Sequence, residues 1–286
     1  MAPELKKEWD ELMKSHGYVL GRARRHAAAG RLNLQHYLWK AAFGHTNIRP
    51  AIAANLPAAP VVADVATGTC LWLLDTAREL GPDAQFDGLD YNLEQAPHPS
   101  TLPPNMRTRY WDVHEPPPED LVGRYDYVHL RLVVLVVRDE DPRPIARNLF
   151  KLLKPGGYIQ WDEIDVVHKG VKKADPSQQT PGLDGLVEWF GSQNPYLWTV
   201  RLAEFLADVG FTETKTELIS DPPGYERAFN ELHLLTAEEL ADSIAKLGDP
   251  KVAAKYYDMI EKANEESAEG AVVYLPRLVC TGRKPA

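Results

Sequence analysis

Hydrophobic and polar positions follow two different periods along the chain. Short apolar runs bounded by glycine, proline or acidic residues predict strands, and longer stretches in which apolar residues return every three or four positions predict helices. Alternation of the two predicts an α/β fold, in which helices cover both faces of a largely parallel sheet. The predicted strands lie at residues 61–65, 86–90, 108–113, 125–132, 158–161, 211–220 and 271–282, and the predicted helices lie at 3–16, 33–43, 69–81, 145–153, 197–209 and, as one or two helices, within 226–268.

Two stretches fit this pattern poorly. Residues 169–182 are polar and rich in turn formers, which predicts a surface excursion. Pro276 lies inside the last predicted strand, where proline removes a donor from the hydrogen-bond ladder. The chain shows no internal repeat and no linker, so we expect one domain over residues 1–286.

Composition and charge narrow the classes of partner. The net charge of −9 argues against a nucleic-acid partner, because proteins that bind phosphate backbones usually carry basic patches. Cys70 and Cys280 cannot build a disulfide framework, which favours a reducing compartment. The first residues are amphipathic and charged, unlike a signal peptide, and the longest apolar run, 132–137, is too short to span a bilayer. We therefore expect a cytoplasmic protein without a membrane partner.

The densest local signal lies at residues 61–72, VVADVATGTCLW, which predict a buried strand, a tight turn and the start of a helix. Asp90 closes the next predicted strand, 26 positions after Asp64 (90 − 64 = 26). A small-residue turn lets a ligand approach the backbone, a helix N-terminus offers free N–H groups, and an acid at a strand end accepts hydrogen bonds from ribose hydroxyls. These are the parts of a nucleotide-binding βαβ unit.

Further motifs extend this unit into a family resemblance. DVATGTC at 64–70, the strand ending in LD at 90, WDV at 111–113 and LLKPGG at 152–157 together resemble a class I S-adenosylmethionine-dependent methyltransferase. The segments LVGRYDYVHLRL and LLKPGGYIQWDE are most similar to those of the small-molecule methyltransferases of fungal secondary metabolism. The resemblance implies a Rossmann-like sheet, mostly parallel with an antiparallel last strand, and helical additions at both ends. It also implies S-adenosylmethionine as cofactor and S-adenosylhomocysteine as product.

The same resemblance divides the expected domain into three parts. Residues 1–50 would form an N-terminal helical cap, 51–168 the cofactor-binding core, and 169–286 the acceptor-side helices with a final strand pair. In related enzymes the N-terminal helices lie over the cofactor and the acceptor, so Tyr37 and Trp39 are candidate lid residues. The alternative is that both side chains simply pack onto the core.

The resemblance also assigns cofactor contacts. The loop of Ala66, Thr67, Gly68 and Cys70 would carry the methionine part, Asp64 would orient toward its amino group, and Asp90 would bind the ribose. The remaining candidates are Tyr91 over the ribose or adenine, Asp112 and Val113 at the adenine, Leu130 through its backbone, and Tyr37 from the cap.

Cys70 departs from the family pattern, in which glycine is more frequent at this position. A thiol adds bulk where the first helical turn passes the cofactor, and a helix N-terminus lowers the pKa of a cysteine. We interpret Cys70 as a tolerated small residue. A nucleophilic cysteine and impaired cofactor binding are the alternatives.

Methyl transfer requires alignment of the acceptor and, when the acceptor is protonated, a base. The ends of the fourth and fifth strands offer His129, Asp162 and Glu163, and His233 is a further candidate base. For His129 a structural role is an equal alternative. No metal is expected, since the fourth strand lacks a carboxylate to match those at 162–165. Candidate walls of the substrate pocket, with core packing as the alternative, are Trp39, Arg131, Trp161, Trp189 and Trp198.

Three functions follow from these observations. The first is methyl transfer to an oxygen, nitrogen or sulfur atom of a small secondary metabolite, by a monomer or homodimer. The second is a methyltransferase-like protein that has lost transfer and serves as a regulator or as a pericyclase or cyclase. The third, a nicotinamide-dependent dehydrogenase, is disfavoured because the turn lacks the third glycine of G-x-G-x-x-G and no tyrosine is followed by lysine four positions on.

Overall fold

The computed structural model describes residues 11, 20, 25–192 and 196–286. The helix predicted at 3–16 lies outside these residues, apart from Glu11. Contacts group the chain into two compact units. The unit that we call the helical unit contains Met1–Ala42, Asp165–Tyr196 and Ser220–Pro276, and the unit that we call the sheet unit contains Phe43–Ile164, Leu197–Ile219 and Arg277–Ala286. The single domain and its three expected parts stay a prediction.

Helices and strands alternate through the middle of the chain, as the hydrophobic pattern predicts. The helices are α1 (Arg25–Ala42), α2 (Pro50–Ala53), α3 (Leu71–Leu80), α4 (Arg143–Leu152), α5 (Pro181–Ser192), α6 (Leu202–Val209), α7 (Glu226–Leu247) and α8 (Pro250–Ala268). The strands are β1 (Val61–Val65), β2 (Gln85–Asp90), β3 (Met106–Tyr110), β4 (Tyr125–Arg131), β5 (Leu153–Ile164), β6 (Gly170–Lys173), β7 (Thr212–Ile219), β8 (Ala271–Tyr274) and β9 (Arg277–Arg283).

The sheet unit is built on one sheet, whose strands within the described residues follow the order β3-β2-β1-β4-β5-β9-β7. Strands β1 to β5 run parallel to one another, and β9 is antiparallel to both β5 and β7. The expected Rossmann-like sheet, mostly parallel with an antiparallel last strand, is therefore confirmed. Parallel strands place their carboxyl ends at one edge, and this edge carries the ends of β1, β2, β4 and β5.

The fifth strand is longer than predicted. It covers Leu153–Ile164 rather than 158–161, and it follows α4 directly, so Pro155 lies within the strand instead of stopping a helix. A side chain at Gly157 would stand 3.0 Å from the carbonyl oxygen of Lys154 and 3.1 Å from that of Tyr125. This close approach explains why a glycine lies in a buried strand.

The strand predicted at 271–282 is wrong as a single element. It is divided at Leu275 and Pro276, because proline has no N–H with which to continue the ladder. The first part, β8, pairs with β6 in a two-stranded sheet of the helical unit, and the second part, β9, joins the large sheet. The polar stretch at 169–182 thus contains a strand, β6, that local composition did not indicate.

One buried ion pair and one helix cap connect elements of the helical unit. Arg31 of α1 donates to Glu239 of α7 over 2.6 Å, and both side chains are buried. Glu266 of α8 accepts hydrogen bonds from the backbone N–H groups of Gly182 and Leu183 at the start of α5, at 2.7 and 2.8 Å. Such a carboxylate satisfies N–H groups that a helix start leaves unpaired. None of the helices in the described ranges is both long enough and apolar enough to cross a membrane.

Asp87 on β2 is a buried carboxylate at the centre of an ionic group in the sheet unit. It accepts two hydrogen bonds from Arg107 at 2.7 and 3.0 Å, one from Arg124 at 3.1 Å and one from the Tyr125 hydroxyl at 2.7 Å. Burial alone would raise the pKa of Asp87, but these donors and the two guanidinium charges hold it below the usual range. Asp87 therefore links β2 to the adjacent strand β3 and, beyond β1, to the start of β4.

Candidate functional site

The loop between β1 and α3 is held in an unusual backbone conformation. Ala66, Gly68 and Cys70 all have positive φ angles, of 57°, 53° and 59°. The Cys70 N–H donates to the Thr67 carbonyl over 2.8 Å, and α3 begins at Leu71 rather than at Thr69 as predicted. Left-handed backbone is costly for residues that carry a Cβ atom, which explains why glycine is frequent at such positions.

Glycine substitutions in this loop give a prediction. Ala66→Gly should raise the free energy of unfolding by about 0.5–1 kcal/mol, since relief of left-handed strain exceeds the added freedom of the unfolded chain. Cys70→Gly should leave stability nearly unchanged, because the loss of a buried thiol offsets the same relief. Urea denaturation of both variants measures this. A loss of stability in Ala66→Gly would contradict the strain argument.

The environment of Cys70 favours the neutral thiol. The side chain is fully buried, and burial, together with the charges of Asp64 and Asp90, raises the pKa of Cys70 to about 12 although the Thr67 side chain counteracts it. The lowered pKa expected from the helix start is therefore wrong, because desolvation outweighs the helix N-terminus. This favours the interpretation of Cys70 as a tolerated small residue.

Asp64 fixes the first turn of the loop. The Thr67 hydroxyl donates to its Oδ2 atom over 2.7 Å, and both residues are buried. Gly88, on the neighbouring strand β2, leaves space for this threonine: a Cβ there would stand 3.1 Å from Thr67 Cγ2. Sequence analysis did not assign Gly88, although a glycine in the middle of an apolar strand run was a usable signal.

Asp90 connects the end of β2 to the loop. Its Oδ2 atom accepts the Gly68 N–H and its Oδ1 atom accepts the Asn92 N–H, each over 2.9 Å. Burial raises the pKa of Asp90, and the backbone donors partly oppose this effect. An ionised carboxylate has about four lone-pair sites, so Asp90 keeps hydrogen-bonding capacity for a ligand.

The other candidates for the adenosine lie just beyond β2 and β3. Tyr91 follows Asp90 and is 47% exposed. The Trp111 N–H donates to the Asp90 carbonyl over 2.9 Å, and Asp112 Oδ1 accepts the His114 N–H over 2.9 Å. Val113 is buried and its carbonyl accepts from Asn148. The structure thus brings Asp64, the loop, Asp90 and Asp112 to one edge of the sheet.

His129 lies between two carboxylates under this edge. Its Nδ1 atom is 2.7 Å from Asp64 Oδ1 and its Nε2 atom is 3.1 Å from Asp162 Oδ2. The ring is 1% exposed and stacks on Trp72, with centroids 3.8 Å apart and an angle of 2° between the planes. Burial alone would lower the pKa of His129, but hydrogen bonds and charges from both acids raise it above the usual value. The structure therefore favours an imidazolium that links two strands.

Three residues complete this network: Gln160, which is among the polar groups at the end of the fifth predicted strand, and Tyr127 and Asn47, which sequence analysis did not assign. Gln160 on β5 donates to both Asp162 oxygens, at 3.1 and 3.3 Å, and to the Asn47 carbonyl at 3.1 Å. The Tyr127 hydroxyl donates to Gln160 Oε1 over 3.1 Å. The contact of Tyr127 with Gln160 depends on the pairing of β4 with β5, so no local pattern indicates it.

The remaining candidates of the sheet unit surround the end of β5. Leu130 is buried, with Val65 as its register partner on β1, and Arg131 is the register partner of Asp162. Trp161 and Trp198 are buried with ring centroids 5.8 Å apart, and Trp161 Nε1 donates to Glu163 Oε1 over 3.2 Å. The structure therefore brings both tryptophans and Glu163 into one cluster.

The helical unit holds the other candidates. On α1, Tyr37 is exposed and Trp39 is buried. The Phe190 ring contacts both Trp189 and His233, with ring centroids 4.9 and 6.0 Å away. Trp189 and His233 therefore belong to one aromatic cluster. The roles expected for Tyr37, Trp39, Trp189 and His233 stay predictions. Within the described ranges there is no group of three or more histidine, cysteine or acidic side chains that could hold a metal ion.

Comparisons with known proteins were made at the level of family, sequence and fold. No family model matches the chain. It is 41% identical over 111 residues to the methyltransferase grgD of a Penicillium species, covering 36% of this chain and 38% of that protein. It is 26% identical over 260 residues to the secondary metabolism regulator LAE1 of Gibberella fujikuroi, covering 83% and 79%. The chain thus spans well under half of the first of these relatives.

Among solved structures, the [4+2]-cyclase SpnF superposes with a TM-score of 0.50 and 18% identity, covering 82% of this chain and 79% of that one. At such low identity the similarity concerns the fold alone. It agrees with the strand order and direction of the large sheet.

Proposed function

We propose that this chain, which is related to the methyltransferases of fungal secondary metabolism as its motifs indicated, binds S-adenosylmethionine and transfers the methyl group to an oxygen, nitrogen or sulfur atom of a small molecule. The observation that carries the proposal is the hydrogen bond from Gly68 N–H to Asp90 Oδ2, at 2.9 Å. It joins the loop expected to hold the methionine part to the acid expected to hold the ribose.

The residues present fit this cofactor. Asp90 keeps hydrogen-bonding capacity for the ribose hydroxyls, and the left-handed loop presents small residues where a ligand approaches the backbone. Asp64 is fixed by Thr67 and His129, so its carboxylate is preorganised beside that loop. When bound, the cofactor supplies a sulfonium-activated methyl group for in-line displacement.

The chain's own residues orient the reactants more than they exchange protons. Both nitrogens of His129 are engaged by Asp64 and Asp162, so we assign His129 a positioning role instead of the general-base role expected from its pKa range. Asp162 is likewise engaged, by His129 and Gln160. Burial raises the pKa of Glu163 to about 8, so at neutral pH this group donates a hydrogen bond rather than accepting a proton. Glu163 therefore suits an acceptor anchor.

The experiment uses the purified chain. Mass spectrometry of the denatured protein should detect co-purified S-adenosylmethionine or S-adenosylhomocysteine. Incubation with methyl-deuterated S-adenosylmethionine and a panel of phenols, amines and thiols should then yield at least one labelled product. Cofactor binding without any labelled product from a broad panel would favour the second function.

That second function is a methyltransferase-like regulator, or a non-methylating catalyst. The similarity to LAE1, which covers most of both chains, favours it specifically. It shares the cofactor site with the first function, so the two differ in turnover and not in binding. The test of cofactor binding therefore applies to both functions, and only the test of turnover distinguishes them.

We predict that neither cofactor binding nor transfer needs a divalent metal. Arg131, a cation, occupies the register position opposite Asp162, where a metal site of this edge would require a second carboxylate. Calorimetry with S-adenosylhomocysteine should give the same affinity with and without a chelator. A loss of affinity or turnover that magnesium restores would contradict this prediction.

A further inference from the structure

A buried cluster at the end of β5 has hydrogen-bonding capacity that the cofactor site does not use. The Trp161 indole lies at its centre: its Nε1 atom donates to Glu163 Oε1 over 3.2 Å, and its ring meets the Trp198 ring at 61°, with centroids 5.8 Å apart. All three side chains are buried in the sheet unit. Two of them hold a polar atom that has no hydrogen-bond partner among the described residues, namely Glu163 Oε2 and Trp198 Nε1.

The position of the Glu163 proton follows from its neighbours. Oε1 accepts two hydrogen bonds, from Trp161 Nε1 and from the Val133 N–H at 2.8 Å. Burial raises the pKa of Glu163 to about 8, although these donors and the Ile164 N–H favour the charged form. At neutral pH the group is therefore mainly a carboxylic acid. Since Oε1 already faces two donors, the proton lies on Oε2, which makes Oε2 a hydrogen-bond donor.

Trp198 adds a second donor of the same kind. Its Nε1–H can only donate, and no acceptor in the described residues receives it. Buried donors without an acceptor are rare in native proteins, because burial removes their water without replacing it. Both donors belong to side chains that contact Trp161, so a ligand that supplies hydrogen-bond acceptors at this cluster would satisfy them.

We propose that Glu163 and Trp198 form a donor pair that binds an acceptor-only oxygen of the methyl-accepting molecule, a carbonyl or a carboxylate, with the Trp161 indole as an adjoining apolar contact. This inference rests on the proposed function, since it concerns the acceptor of the same reaction. An ammonium group does not suit the donor pair, because it would place donors against donors. A carbonyl oxygen accepts hydrogen bonds through two lone pairs, one for each donor.

Matched small probes test the preference. Acetophenone and benzoate present acceptor-only oxygens, and 1-phenylethylamine presents only donors when protonated. Each probe is titrated at neutral pH into the full chain saturated with S-adenosylhomocysteine, with ligand-observed NMR as the readout. We expect acetophenone or benzoate to bind at least threefold more tightly than the amine, and the stronger of the two identifies a carbonyl or a carboxylate as the preferred group.

Variants separate a donor from a carboxylate. Trp198→Phe keeps an aromatic ring but loses the N–H, and should lower the affinity for the preferred probe by ~3- to 10-fold. Glu163→Leu should weaken it similarly. Glu163→Gln should bind within about twofold of wild type, because the amide NH₂ replaces the acid O–H. Difference infrared spectra of wild type against Glu163→Gln should contain a carboxylic acid band that disappears as the pH rises through about 8.

The outcomes are distinguishable. Tighter binding of the amine, abolished in Glu163→Gln, would overturn the donor pair and identify Glu163 as an anionic anchor. Binding of no probe, or equal binding by all variants, would overturn it as well. S-adenosylhomocysteine affinity is measured separately for each protein: failure of the cofactor to bind the wild type contradicts the proposed function, whereas normal cofactor affinity without probe selectivity contradicts only the donor pair.

Discussion

Replacement of His129 by alanine should lower the free energy of unfolding by about 3–5 kcal/mol. The substitution removes the cation between Asp64 and Asp162 and leaves two buried carboxylates without this counter-charge, each with hydrogen bonds from one side chain, Thr67 or Gln160. It also uncovers the face of Trp72 on which the imidazole stacks at 3.8 Å. Urea denaturation, followed by tryptophan fluorescence and by circular dichroism, measures the change.

The pH dependence gives this prediction a sign. The pKa of His129 is raised in the folded protein, so its contribution is fully present below the unfolded value of about 6.5 and is lost as the pH rises through the folded value. The difference between wild type and His129→Ala should therefore shrink toward alkaline pH. His98, an exposed histidine that contacts Ser100, provides a matched control, and His98→Ala should change stability little at any pH. A His129→Ala deficit that grows toward alkaline pH would rule out the imidazolium.

Replacement of Asp87 by alanine is expected to lower the free energy of unfolding by about 2–4 kcal/mol. The buried carboxylate accepts hydrogen bonds from Arg107, Arg124 and Tyr125, and its removal leaves the Tyr125 hydroxyl without its acceptor. The expected loss of stability is smaller than for a fully buried ion pair, because both arginines are partly exposed and solvent screens their charges.

This effect should be sensitive to acid. The pKa of Asp87 is lowered in the folded protein, so its contribution is present above the unfolded value of about 3.9 and is lost as the pH falls through the folded value. Asp120, which pairs with Arg109 at the surface, is the matched control, and Asp120→Ala should have little effect. Equal losses of unfolding free energy in Asp87→Ala and Asp120→Ala would contradict the argument that burial makes the Asp87 contacts more stabilising than a surface ion pair.

Local sequence patterns were sufficient to predict most strands of the large sheet. The apolar runs at β1, β2 and β4 are short and bounded by turn residues, so both their type and their position could be predicted. The extent of β5 and the division between β8 and β9 could not. Both depend on pairing with distant strands, since β6 gains its partner only when β8 folds beside it.

The candidate site divides in the same way. Asp64 and Asp90 could be assigned because strand, turn and acid are adjacent in sequence, and the motif resemblance gave them roles. The partners of His129 could not, because Asp162 lies 33 residues away and meets it only through sheet register. The pKa of Cys70 was assigned the wrong direction, since the helix start is visible in the sequence while the burial of the thiol is not.

Asp87 and Asp90 offer an internal comparison for the central claim. They are three positions apart on β2, and both are buried carboxylates. Asp87 is fully used in ionic contacts within the fold, whereas Asp90 binds only backbone N–H groups and keeps lone pairs for a ligand. Loss of Asp87 should therefore affect stability, and loss of Asp90 should affect cofactor binding.

Calorimetric titration of S-adenosylhomocysteine into wild type, Asp90→Ala and Asp87→Ala tests the claim most directly, at a temperature at which circular dichroism shows all three to be folded. We expect Asp90→Ala to bind about 10- to 100-fold more weakly, the usual effect of losing hydrogen bonds to a charged group, and Asp87→Ala to bind like wild type. Absence of binding to the wild type, or unchanged affinity in folded Asp90→Ala, would contradict the assignment of this edge of the sheet as the cofactor site.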